Sequence, residues 1–401
     1  MSQDDFFESG FKRMASAGLR ENNARAVLMA VALTPGAPGA QLARITGLGP
    51  QSVSRILVEL EEAGLVLRGE VVRGQRGKPA TPIHIDPNGA YCIGCEIGWR
   101  HLNVVLLDLG GAVLGEHRRD YPYPDSATIF EEIASITRLL TQLIAVDRRS
   151  NMLGMGVAVP SGIARNVQLV GAPSQVADIW KTIDVAARVA TATGLEVFPY
   201  NDGNAGCWAE LIAHPAPRPQ NFAYLFVGTF VGAGIVAEGQ LWQGPTGNSA
   251  NLGSMLVTDE HGEQQFVHLI ASFTALERRL KEAGMVLPSG DPTLWDWTSL
   301  EPVAGQWLEA SAKALAKVIA NSASASELNV AIVDGAMPRA IVAQLVERVR
   351  FYIRELPTLT NDTPDIETGR LGSRAAAYGA AMKPIYSRLF SRNFNDVMRG
   401  L

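Results

Sequence analysis

The hydrophobic pattern changes character near residue 90. Before it, apolar positions recur at helical spacing. Over 22–33, Ala26, Leu28, Met29, Ala32 and Leu33 share one face, and Pro35-Gly36 ends the run. A short helix is expected over 39–45, followed by Thr46-Gly47-Leu48-Gly49. From Pro50 the stretch PQSVSRILVELEEAGLV aligns Val53, Ile56, Leu57, Leu60 and Leu65 on one side. Pro50 suits a first helical turn and Gly64 a helix stop. Residues 65–68 and 81–85 read as two short strands flanking VVRGQRGKPA.

Beyond residue 90, strand-length apolar runs alternate with helical stretches. Residues 90–97, 102–108 and 112–116 predict a three-stranded meander, 126–147 a helix, and 152–159 a buried strand ending at Pro160-Ser161-Gly162. A helix over 184–194 precedes a strand over 196–200 that ends in Asn201-Asp202-Gly203-Asn204. A glycine-rich hairpin at 222–237, a long helix around 304–326, a strand at 328–333 and a helix at 338–352 complete an α/β reading.

Two short helices joined by a glycine-containing turn form a helix-turn-helix pattern. The second helix leaves Gln51, Ser52, Ser54 and Arg55 polar near its N-terminus, the end that meets base edges in this motif. Arg55 has the two donors that match guanine, and Gln51 the donor and acceptor that match adenine. The loop that follows places Arg73, Arg76 and Lys78 between Gly74 and Gly77, as a wing suited to phosphate or minor-groove contact. The same residues would also serve as a solvated basic loop on a structural helical bundle. Their place directly after the second helix favours double-stranded DNA.

Composition narrows the classes. A chain of 401 residues suggests two or three domains, and 47% hydrophobic residues exclude a disordered chain. Three cysteines exclude a disulfide scaffold and fit a reducing compartment. The net charge of −5 hides an asymmetry: residues 11–86 carry ten Lys and Arg against six Asp and Glu. The acidic start MSQDDFFESG lacks an export signal, and the run 222–237 is too short and glycine-broken to span a bilayer. A cytoplasmic protein with no membrane partner is expected.

The order of landmarks resembles the ROK family of repressors, open reading frames and sugar kinases. It runs from the helix-turn-helix through CEIGWRHLNVVLLDLGG, VAVPSG, FPYNDGNAGCWAEL and FVGTFVGAGIVAEGQLWQGPTGNSANLGSM to RLGSRAAAYGAAM. The resemblance implies a winged helix-turn-helix over 1–88 joined to a two-lobed actin-like (ribonuclease H-like) sugar-kinase fold. The first lobe would span 89–199, completed by 382–401, and the second 200–381. Asp202 matches the family's catalytic base and Asn201 its sugar-binding neighbour. Gly162 and Ser174 fall on loops bordering the sugar, and Asn251, Ser254 and His268 replace family Glu, His and Glu at sugar contacts.

The phosphate side departs from the family. Its Asp-x-Gly-Gly-Thr loop is Glu96-Ile97-Gly98-Trp99-Arg100 here, and Phe230 replaces a glycine in Gly228-Thr229-Phe230-Val231-Gly232. A late Gly-Gly becomes Asp334-Gly335, where a carboxylate would repel ATP. The family's zinc ligands are replaced too: Ser254 stands at the His position and no cysteine follows Cys207. Cys92 and Cys95 lie three apart on a strand and face opposite ways, so neither metal nor cofactor is expected. The expectation is a DNA-binding transcriptional repressor responsive to a pentose, sugar alcohol or modified sugar, without kinase activity, and a homodimer or homotetramer. The alternatives are an active ATP-dependent sugar kinase fused to a DNA-binding domain, and a DNA-binding protein whose body serves only oligomerisation.

Overall fold

The computed structural model describes residues 21–70, 81–215, 217–357 and 362–390. Helix α1 (21–33) buries Val27, Leu28, Met29, Ala30 and Val31. Helix α2 (Gly39–Thr46) ends at Gly47, whose φ of 68° turns the chain into α3 (Pro50–Glu62). Helix α3 starts with proline in its first turn and buries Val53, Ile56, Leu57 and Leu60, the face read from the sequence. Strands β1 (Val66–Arg68) and β2 (Ile83–Ile85) then pair antiparallel, with Val66 opposite Ile85. The wing residues Arg73, Arg76 and Lys78 between them lie outside the described residues.

The body repeats one plan twice. In the first lobe β3 (Tyr91–Ile97), β4 (His101–Asp108) and β5 (Val113–Asp120) form the meander, and α4 (Ile129–Thr141) leads to β6 (Met152–Val159), parallel to β3. Helices α5 (Ile163–Asn166), α6 (Ser174–Trp180) and α7 (Val185–Thr193) precede β7 (Val197–Asn201), giving the order β5-β4-β3-β6-β7. Helix α8 (Asp202–Ala213) opens the second lobe, followed by β8 (Phe222–Val227), β9 (Val231–Ala237) and β10 (Gln240–Leu241). A small hairpin, β11 (Leu256–Thr258) and β12 (Gln264–Phe266), leads into α9 (His268–Ala271), α10 (Phe273–Glu282) and α11 (Val303–Ser326). Then β13 (Val330–Gly335), α12 (Arg339–Glu355) and β14 (Asp365–Thr368) close the order β10-β9-β8-β13-β14. Each sheet is thus an antiparallel meander extended on one side by two parallel strands with helical crossovers.

Every residue of β3 is buried, which is why it reads as an unbroken apolar run. Cys92 packs in the core shared with the N-terminal domain and Cys95 in the core on the other face. Burial pushes both thiols up, so they are inert packing groups rather than ligands. No helix among the described residues is long and apolar enough to cross a membrane.

Helix α13 (Ala375–Arg388) returns from the second lobe to the first sheet. It lies so close that a Cβ at Gly94 would sit 1.9 Å from the Ala377 carbonyl, and one at Gly156 1.8 Å from that of Ala380. This contact explains the run of small residues in RLGSRAAAYGAAM. It also moves a boundary: the segment packed on the first sheet begins at Ala375 rather than at 382, because the close approach starts in the helix's first turn. The far end of α13 enters another core. Met382, Ile385 and Phe390 pack with Leu28, Leu42, Leu57 and Ile83, and with Cys92, Val105 and Leu107. Arg25 adds a hydrogen bond to the Ser387 carbonyl at 3.3 Å. The N-terminal domain and the first lobe therefore share one hydrophobic core, with α13 in the middle of it.

Candidate functional site

A cleft of about 1170 Å³ opens between the lobes. Parallel strands present ligand groups beyond their carboxyl ends, and here β6 and β7 end side by side, with Val159 opposite Asn201. Asn201 caps α8 by accepting from the Asn204 N–H at 3.0 Å, while its amide donates to Ser161 Oγ at 2.8 Å and to Asp202 Oδ1 at 3.1 Å. The Gly203 N–H donates to the same Asp202 oxygen at 2.8 Å. These bonds fix the Asn201 amide and one carboxylate oxygen of Asp202. Burial, and next the charge of Glu96, raise the Asp202 pKa to about 6.

Glu96 ends up elsewhere on the scale. Strand register sets it opposite Asn103, whose amide donates to Glu96 Oε2 at 3.1 Å and to the Ser373 carbonyl at 3.0 Å. His101 Nε2 lies 3.1 Å from Glu96 Oε1. Burial alone would push Glu96 up, but His101, Asn103 and the more distant Arg118 together hold it below the usual carboxylate range. Two neighbouring acids are thus separated: Glu96 stays ionised and Asp202 carries the strain.

On the second lobe the Val231 N–H donates to His268 Nδ1 at 3.1 Å, and burial lowers the His268 pKa to about 4. The ring is therefore neutral near pH 7 with its proton on Nε2, a hydrogen-bond donor. Gly253 makes room for it, since a Cβ there would lie 2.3 Å from His268 Cε1. Asn251 and Ser254, exposed in the same loop, also line the cleft.

The β3–β4 turn and the β8–β9 turn occupy equivalent places in the two lobes, and they touch. Trp99 from the first meets Phe230 from the second with centroids 4.8 Å apart and planes at 72°. Phe230 in turn stands edge-on to His268 at 5.7 Å. Arg100 pairs with Glu277 at 2.8 Å and Arg118 reaches Asp291 at 3.5 Å, adding two ion pairs between the lobes. Small residues at such turns let backbone N–H groups cradle phosphates; here two rings occupy that approach.

Asp334 acts differently from the sequence expectation. It is fully buried, accepts from the Gly335 N–H at 2.9 Å, the Gly372 N–H at 2.8 Å and the Arg339 guanidinium at 2.7 Å, and does not line the cleft. Arg339 also donates to the Gly369 carbonyl. The carboxylate pins the 369–372 loop instead of facing a nucleotide.

In the N-terminal domain Gln51, Ser52, Ser54 and Arg55 are all exposed on the first turns of α3. Arg55 Nε lies 3.7 Å from Glu59. No acidic residue occupies the first turn, so the positive end of the helix dipole is unopposed where a phosphate or base edge would approach.

The model of the ROK family matches residues 92–383, the span from β3 into α13. The chain belongs to the ROK family. A MarR family model matches residues 21–77. The xylose repressor of Bacillus subtilis is 26% identical over 222 residues, a stretch covering 54% of this chain and 56% of the repressor. The chain thus matches little more than half the length of that relative. A solved ROK family transcriptional regulator, a homologue of the E. coli MLC protein, superimposes with a TM-score of 0.66 at 21% identity, covering 95% of this chain and 99% of the other. A ROK family glucokinase from Streptomyces griseus, solved with glucose and AMPPNP, gives 0.56 at 20% identity over 73% of this chain and 98% of its own. These likenesses establish a winged helix-turn-helix followed by the two-lobed ROK fold.

The ROK resemblance placed seven residues around a sugar. Gly162, Asn201, Asp202, Asn251, Ser254 and His268 do line the cleft. Ser174 does not: it starts α6, which sinks Ala177 and Trp180 into the first-lobe core and turns Ser174 out to solvent beside Gln175. The zinc positions do not fit the metal either, because Ser254 offers a hydroxyl where the family has imidazole and no thiolate follows Cys207. Sequence reasoning missed His101, Asn103, Arg100 and Glu277 as parts of the site. The first two follow from the period-2 pairing of β3 with β4; the Arg100–Glu277 pair spans 177 residues and has no local signal.

Proposed function

We propose that this ROK protein is a DNA-binding transcriptional repressor whose cleft senses a neutral sugar or polyol and transfers no phosphate. One observation carries the reading: the Trp99–Phe230 pair fills the approach between the two turns that would hold phosphates, while Asn201, Asp202 and His268 keep an ordered hydrogen-bonding set beside it. An ATP triphosphate does not fit between these turns while the two rings stand there. The name of the Bacillus subtilis relative makes xylose the first effector to try.

Helix α13 supplies the route from cleft to DNA. Gly372, Ser373, Ala375 and Ala376 border the cleft at its start, and Met382 and Ile385 lie in the core shared with the winged helix at its end. A ligand that favours one lobe arrangement biases α13, and with it the position of the winged helix against the body. Two copies, as a homodimer or homotetramer, present two recognition helices, so a small rotation alters their match to operator half-sites.

The test pairs calorimetry with mutation. Mg·ATP should give no micromolar binding and no sugar phosphorylation; either would restore the kinase alternative. Asp202→Ala should leave DNA binding intact and weaken the response to sugar. A sugar response unchanged in that variant would refute the assignment of the cleft as sensor.

A further inference from the structure

The cleft is larger and more apolar than a single sugar ring requires. Clefts of about 300–1,000 Å³ already bury most of a drug-sized ligand, and this one encloses about 1170 Å³. One ordered polar set sits where β6 and β7 end, at Asn201 and Asp202, with His268 facing the cleft from the second lobe. Elsewhere in the lining, large apolar side chains stand open to solvent from both lobes: Leu169 is 61% exposed, Phe266 46% and Leu269 37%. Leu287 and Trp295 extend this surface, and the Trp295 indole N–H is tied to the Ser289 carbonyl at 3.1 Å, which fixes the ring in its loop. Apolar groups gathered in one cleft, rather than scattered singly, mark a place that something covers.

Charge decides what that something is. Arg100 and Arg118 are engaged by Glu277, Asp120 and Asp291, and of the cleft's arginines Arg165 alone has no carboxylate partner among the described residues. Glu96 and Asp202 add negative charge at the polar end. An anionic substituent such as a phosphate or carboxylate is unfavourable beside Glu96 and Asp202, which leaves Arg165, four residues from Leu169, as the arginine free to attract one; the apolar side chains of Leu169, Phe266, Leu269 and Trp295 suit a neutral apolar group instead.

We infer that the cleft takes a neutral glycoside rather than a free monosaccharide, with the sugar ring against Asn201, Asp202 and His268 and an apolar or aromatic aglycone against Leu169, Phe266, Leu269 and Trp295. This deepens the sugar-sensing reading and rests on it. The free sugar contacts only the polar end, whereas the aglycone removes exposed side chains from water, each contact adding affinity in proportion to the area covered.

The experiment titrates the full chain by calorimetry with xylose, arabinose, glucose, galactose and mannose, with the phenyl glycoside of each, and with phenol alone. For the sugar that binds best, its phenyl glycoside should bind at least tenfold tighter, with phenol alone far weaker than either. Leu169→Ser and Leu269→Ser, both at solvent-exposed positions that tolerate a polar residue, should remove most of that gain and leave the free-sugar affinity within twofold. Equal or weaker binding of the phenyl glycoside, or a gain that survives both substitutions, would overturn the inference while leaving sugar sensing in place. Silence from every sugar and every glycoside would instead overturn the sugar-sensing reading, and this inference with it.

Discussion

The contact between Trp99 and Phe230 can be isolated by a double-mutant cycle. Trp99 is only 9% exposed, so Trp99→Ala removes a buried ring and should cost about 3–5 kcal/mol. Phe230 is half-buried and its truncation should cost less, about 2–3 kcal/mol. Part of each loss is private: Phe230 also touches His268, and Trp99 packs in the first-lobe core. The cycle subtracts those parts. What remains is the pair itself, which at 4.8 Å in edge-to-face geometry should be worth about 0.5–1.5 kcal/mol. Urea denaturation of the wild type, both single variants and the double variant gives the four stabilities required. A coupling energy within about 0.3 kcal/mol of zero would show that the rings do not brace the lobes in solution. The proposal that the two rings keep phosphate out of the cleft would then fail with it.

The separated acids give a pH prediction. Asp202 binds its proton more tightly folded than unfolded, so its contribution favours the fold below about pH 4 and is lost as pH rises through about 6. Asp202→Asn should therefore stabilise the protein at pH 7.5, by roughly 1–2 kcal/mol after solvent screening of this half-buried group, and give no gain at pH 4. His268 opposes this trend, losing stability as pH falls from about 6.5 to about 4, so the difference between variant and wild type, not either curve alone, is the quantity to measure. Gly253→Ala forces a Cβ against both His268 and the Val231 carbonyl; ligand affinity measured by calorimetry should fall at least tenfold with the winged helix still folded. Ile385→Ala opens a cavity in the core shared by the winged helix and the first lobe, and should cost about 2–5 kcal/mol and blunt the sugar effect on DNA binding. Arg55→Ala should weaken specific DNA binding by about 1–3 kcal/mol at one base-pair position, read by competition between operator variants.

Helix α3 was legible because its apolar residues share one face, and β3, β4, β8 and β9 because burial on both faces makes them short apolar runs. Helix α3, the β3–β4–β5 meander and the hairpin of β8 and β9 stand where hydrophobic spacing placed them. Helix α8 was not legible: DGNAGCWAELIA is buried almost all round, between α13 and the second sheet, so no polar face marks its period. Helix α13 was hidden for a related reason, its alanines and glycines being chosen for close approach rather than for amphipathicity. At the cleft, motif order placed Asn201, Asp202 and His268 in its lining, because loops after strands keep their place in a duplicated fold. It misjudged Ser174 and Asp334, because order along the chain carries no information about which way a side chain turns. Trp99 and Phe230 were each conspicuous as bulky residues in glycine-rich turns. That they meet is a product of the lobe arrangement, and only the structure supplies it.

The central claim, that sugar in the cleft controls DNA binding, is tested most directly by selecting bound fragments from sheared source-genome DNA at fixed, near-physiological salt, with and without a pool of sugars and their glycosides. The account predicts discrete fragments whose recovery changes when the pool is present. Fragments recovered equally under both conditions, or no enrichment under either, would contradict it.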